Sequence, residues 1–126
     1  MRKIILSIAV VCTLTATAQQ VMKKEKDGTY VVNTTTLASD VEGYNGPTPV
    51  EVYIKKNKVV KVEMLKSQET PKYSVRVKKN MLPLYEGKKI VKGKPIEVDG
   101  VTGATFTSKA VKKNVNRAID YYQKHK

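Results

Sequence analysis

Asp99-Gly100-Val101-Thr102-Gly103-Ala104-Thr105 concentrates the residue types in this sequence that could do chemistry. Glycine admits positive φ and close approach of other groups to the backbone, and Ala104 adds almost no bulk. The Thr105 hydroxyl is therefore expected on a sterically open loop. Phe106, Thr107 and Ser108 follow, and an amphipathic run begins just beyond them. A helix starting near Ser108 would direct its first backbone N–H groups and the positive end of its dipole at the loop, and both favour an anion. Thr107 or Ser108 is the expected N-cap, since a hydroxyl there can accept from one of those N–H groups.

Lys109, Lys112 and Lys113 lie close behind. Cations in the first helical turn oppose the macrodipole by about a few tenths of a kcal/mol each, and a phosphate nearby would reverse that sign. A basic chain also scatters lysines, so on charge alone the two readings stand level. The chain carries 24 Lys and Arg against 11 Asp and Glu, a net +13. Such a field favours acidic partners or an anionic membrane surface. The lysines are spread along the whole length with no aromatic-interleaved stripe, so nucleic acid is not an expected partner. Thiol and metal chemistry have little to work with. The single cysteine, Cys12, sits in an apolar N-terminal run, and the single histidine, His125, is next to the last residue. No metal site is expected.

The elements that must position the loop can be read outward from it. Residues 1–18 have the form of a cleaved signal peptide: Arg2 and Lys3, an apolar stretch from Ile4 to Leu14, then Ala16-Thr17-Ala18. Export to the periplasm, or the extracytoplasmic face of a bacterial inner membrane, is the expectation. Residues 19–27 read as a flexible leader and 28–126 as one domain. Thr29 to Leu37 is rich in β-branched residues and predicts a strand, and Ala38 to Pro49 is turn chemistry. Val50, Val52 and Ile54, then Val60, Val62 and Met64, alternate with polar residues about Lys56-Asn57-Lys58, which predicts a β-hairpin. Tyr73 to Val77 and Ile96 to Val98 suggest short strands, and Met81 to Tyr85 a brief helix or irregular cover. Val111, Val115, Ala118, Ile119 and Tyr122 recur at helical spacing. The fold class that results is α+β: a small antiparallel sheet with a C-terminal amphipathic helix packed on it.

The pattern Asp-x-x-Thr-Gly-Ala-Thr-x-Thr-Ser, carried by Asp99, Thr102, Gly103, Ala104, Thr105, Thr107 and Ser108, resembles the FMN-binding domain family. That family includes the C subunit of the sodium-pumping NADH:quinone reductase and the G subunit of the Rnf electron-transport complex. The resemblance implies FMN as cofactor, joined through its phosphate to Thr105 as a phosphoester by a separate flavinyl transferase. It extends upstream to about Tyr30. Gly43-Tyr44-x-Gly46-Pro47 and the hairpin look like the family's opening segment, and Glu69-Thr70-Pro71 resembles a loop near the flavin in relatives. Lys72 stands where that loop usually has glycine, and Ser67-Gln68 brings no histidine, so an ordinary turn competes with a flavin contact there. An isoalloxazine ring needs apolar or aromatic walls. Tyr44, Tyr73, Tyr85 and Phe106 are the candidates, with Phe106 favoured because it adjoins the attachment point. The implied function is an exported electron carrier serving a membrane redox complex, with the flavin rather than a protein side chain doing the chemistry. Two alternatives stand beside it: a non-covalent FMN-binding reductase module, and a cofactor-free basic protein of the envelope surface.

Overall fold

The computed structural model describes residues 21–43, 46–67 and 71–126. The expected signal peptide, 1–18, lies outside them. Four antiparallel strands form one sheet in the order β1-β2-β3-β4: β1 Met22–Lys24, β2 Tyr30–Asn33, β3 Val50–Lys55 and β4 Lys58–Met64. Helix α1 spans Pro71–Asn80, a 3₁₀ turn Leu82–Tyr85, and helix α2 Thr105–His125. The class is α+β, with α2 packed on the sheet, as the alternation and the helical stripe imply.

The predicted stripe of α2 is the core of the molecule. Val111, Val115, Ala118, Ile119 and Tyr122 are all buried, against Val32 of β2, Val50, Val52 and Ile54 of β3, and Val59 and Val62 of β4. Burial of apolar surface at about 25 cal/mol per Å² drives this packing. Buried polar groups fix how the helix sits. Asn114 is fully buried; its Oδ1 accepts from the Thr34 hydroxyl (2.5 Å) and its Nδ2 donates to Ala110 O (2.8 Å), while Thr34 Oγ1 accepts from the Val50 N–H (2.9 Å). The ends of the two central strands and the helix are thereby joined at one point.

Several local expectations are corrected. Met22–Lys24, expected within a flexible leader, pairs with Tyr30–Val32 as β1. Gly28 in a left-handed conformation (φ 94°) and the Thr29 N–H donating to Asp27 Oδ1 close the connecting turn. Strand β2 ends at Asn33 rather than Leu37. Asn33 Oδ1 accepts from the Thr35 N–H and Thr34 is spent on β3 and α2, a side-chain competition that breaks the ladder. In β4 the inward residue is Val59, and Val60 is 46 % exposed. Tyr53 pairs with Lys61 and Ile54 with Val59, so Val60 is the extra residue of a bulge, and one residue of slip reverses the faces. The hairpin turn itself is Lys56-Asn57, both left-handed (φ 53° and 59°), with Lys58 already in β4.

Tyr73–Val77 is helical, not a strand. Pro71 suits the first helical position, Lys78 and Lys79 suit the last turn, and Tyr73, Val77 and Met81 repeat at intervals of four toward the core. Ile96–Val98 is not in a strand either. The Asn116 side chain of α2 takes the place of a neighbouring strand: its Oδ1 accepts from the Ile96 N–H (3.0 Å) and its Nδ2 donates to Ile96 O (3.4 Å). The extended segment is thus held along α2 as it runs into the Asp99 loop.

Candidate functional site at the start of the C-terminal helix

Helix α2 begins at Thr105, ahead of the expected start, and its N-cap is Ala104 with no side-chain capping bond. Alanine is among the poorest residues at this position. Neither Thr107 nor Ser108 caps the helix. Ser108 Oγ instead accepts from the Val101 N–H (3.0 Å), hooking the loop over the first turn. The Ala104 N–H donates to Val101 O (3.0 Å) and the Ser108 N–H to Ala104 O (2.9 Å). Gly103 is left-handed, φ 85°, where any residue with a Cβ is strained. Gly100 serves close approach: a Cβ there would lie 3.3 Å from that of Ser108.

This backbone sorts the motif by exposure. Ala104, Thr107 and Ser108 are buried, whereas Thr105 is exposed and Phe106 is 64 % exposed. Thr105 opens on a hollow of about 270 Å³ lined by Gly103, Ala104, Thr105, Phe106, Thr107 and, across from α1, Tyr73. Two of the four candidate aromatics therefore reach the site. Tyr85 does not; it is fully buried in the core, and burial pushes its phenol pKa up. Tyr44, Glu69 and Thr70 lie outside the described residues. Pro71 opens α1 on the surface, two residues before Tyr73. Asp99 and Thr102 line a neighbouring hollow of about 400 Å³ on the other side of the turn, with Asn80 and Leu84.

The cations are also rearranged. With α2 starting at Thr105, Lys109, Lys112 and Lys113 fall beyond its first turn. The cation closest to the turn comes from α1. Arg76 Nη1 donates to Thr102 O at 3.5 Å and lies 2.6 Å from where a Gly103 Cβ would stand. Sequence reasoning missed Arg76 because a strand would put it on the face opposite Tyr73. On a helix, Tyr73 and Arg76 share a flank. Pro71 and the Tyr73–Val77–Met81 interval were the signals that could have found it.

A larger hollow, about 780 Å³, runs along the outer flank of α2 and includes Lys112, Arg117, Tyr121 and Lys124. Part of its charge is already matched, Arg117 by Asp40 and Lys124 by Asp120. It is a charged surface trough. The smaller hollow combines a hydroxyl, two aromatic rings and a helix N-terminus, and is the better site for an aromatic ligand bearing a phosphate.

Fold and site together define a small ligand-holding α+β module that offers a threonine hydroxyl beside an aromatic-walled hollow. The sequence pattern of the FMN-binding domain matches residues 43–120, more than half of the chain, and the chain belongs to that family. The match begins at Gly43, further along than the resemblance from about Tyr30. No solved structure matches the chain. FMN is the cofactor the family indicates, and the residues present fit it. Ala104 adds little bulk at the hollow, Tyr73 and Phe106 supply apolar walls, and the start of α2 favours the phosphate. When bound, the flavin supplies reversible electron transfer.

Proposed function

We propose that this chain is an exported electron-transfer module whose FMN is bonded through its phosphate to Thr105. One observation carries the reading: Thr105 is the exposed hydroxyl of the aromatic-walled hollow at the start of α2. Thr107 is 1 % exposed, and Thr102 faces the neighbouring hollow with Asp99. In the attachment step Thr105 Oγ bonds to phosphorus of an activated flavin nucleotide. The bond from phosphorus to the leaving group breaks, and the hydroxyl proton is released. A flavinyl transferase performs this step, and the exposed Thr105 hydroxyl is open to such an enzyme.

Export is supported by the Arg2-Lys3 start, the apolar run and Ala16-Thr17-Ala18. The excess of lysine suits an anionic leaflet or an acidic membrane redox partner. The role is that of a carrier between such a complex and an extracytoplasmic acceptor.

The test is to co-express the chain with a flavinyl transferase, precipitate it with acid and measure the intact mass. The proposal expects a gain of FMN less one water that is lost in Thr105→Ala. Flavin released by the acid would instead establish non-covalent binding. A chain without flavin under either condition would leave the envelope-surface alternative.

A further inference from the structure

We infer that Arg76 is the phosphate-holding residue of the flavin site. The inference rests on FMN being seated at the hollow beside Thr105, and it concerns a side chain outside the threonine motif. Arg76 lines the hollow on the Asp99 side and reaches over the turn to Thr102 O and to within 2.6 Å of where a Cβ of Gly103, which lines the Thr105 hollow, would stand. Lys112 Nζ also approaches the turn, 3.6 Å from where a Gly100 Cβ would stand, but Arg76 is the cation that reaches Gly103.

Three features point the guanidinium toward a phosphate rather than toward its present partner. Its bond to Thr102 O, at 3.5 Å, is at the long limit and uses a neutral acceptor. A phosphate oxygen would accept a shorter, charge-assisted pair of bonds from the guanidinium fork. Gly103 lets Arg76 approach, because its missing Cβ would stand 2.6 Å from Nη1. The guanidinium therefore reaches a residue that itself lines the Thr105 hollow. Asp99 lines the hollow that Arg76 itself lines and would repel a phosphate there, whereas no acid lines the Thr105 hollow that the guanidinium reaches at Gly103. An anion is thus favoured on the Thr105 side of the turn, with Arg76 as its counter-charge and Tyr73, one turn back on α1, beside the ring.

The experiment compares FMN with riboflavin, which has the same ring and no phosphate, by titrating each into the whole chain prepared without transferase. Wild type is expected to bind FMN about tenfold more tightly at low salt, as a charge-assisted contact implies, and added salt should compress that ratio. Arg76→Met should bring the ratio to near one, and Arg76→Lys should keep part of it. Arg76 is exposed, so neither variant is expected to unfold the chain. No transferase is present, so the ratio reads non-covalent binding alone and can fail separately from covalent attachment. Equal affinity for the two flavins in wild type, or a preference that survives Arg76→Met, would overturn it.

Discussion

The two ends of helix α2 meet turns built with the same backbone device and finish them in opposite ways. At the C-terminal end the hairpin turn is left-handed at Lys56 and Asn57. Asn57 Oδ1 accepts from the Tyr122 hydroxyl (2.6 Å) and Lys126 Nζ (3.1 Å), and Asn57 O accepts from the Ile90 N–H (2.8 Å). The Tyr122 ring is 3 % exposed and meets Tyr30 edge-on at 5.2 Å. At the N-terminal end the turn is left-handed at Gly103, the cap is an alanine, and Thr105 and Phe106 face outward. The loop is fixed from behind by the Ser108 hook, and Arg76 makes a long contact with it at Thr102 O. One turn is satisfied within the protein; the other has a rigid back and an open front. That contrast separates a structural turn from a binding turn more clearly than sequence composition does, since both are small polar segments beside lysines.

The comparison is broken most strongly at Gly103. Gly103→Val forces a β-branched residue to φ 85° and is expected to cost about 2 kcal/mol of stability. Flavin loading per folded molecule, read from absorbance after acid precipitation, should fall much further than that cost accounts for. Equal loading would show that the open turn is not what admits the flavin. At the other end, Tyr122→Phe removes the hydroxyl that Asn57 accepts and should cost about 1 kcal/mol in a denaturant titration. Its flavin loading should not change. The smallest effect is on the helix's outer flank. The Arg117 guanidinium, hydrogen-bonded to Asp40, holds that carboxyl below its usual 3.8. A carboxyl depressed in the folded state stabilises it fully above the unfolded value, and that contribution is lost as pH falls through the folded value. Asp40→Asn should therefore lower neutral stability slightly and give a shallower loss of stability below about pH 4, converging with wild type in acid, followed by circular dichroism.

The sequence made the long-period features legible. The α2 stripe and the β3–β4 hairpin have enough repeats for one periodicity to win, and Asn57 announces its own turn. What escaped was decided by side chains reaching across the molecule. Ile96 is held by Asn116, twenty residues on, and Ser108 bonds backward to Val101 instead of capping its own helix. Over Tyr73–Val77 five residues fit both periods, and only Pro71 before them and Met81 beyond them select the helix. That ambiguity hid Arg76. At the site itself, the open turn at Gly103 and the Thr105 hydroxyl beside it could be read from the small residues, whereas Phe106 was singled out only through its place next to the attachment point that the family resemblance implies. The separation of Thr105 from Thr107 could not, since burial of Thr107 depends on where α2 lies against the sheet.

That separation gives the most direct test. Thr102, Thr105 and Thr107 are three hydroxyls within six residues, chemically almost alike. Tandem mass spectrometry of the flavin-bearing peptide, from chain co-expressed with a flavinyl transferase, reads which one carries the phosphodiester. The account predicts the adduct on Thr105 alone. An adduct on Thr102 or Thr107, or a peptide bearing no flavin, would contradict it.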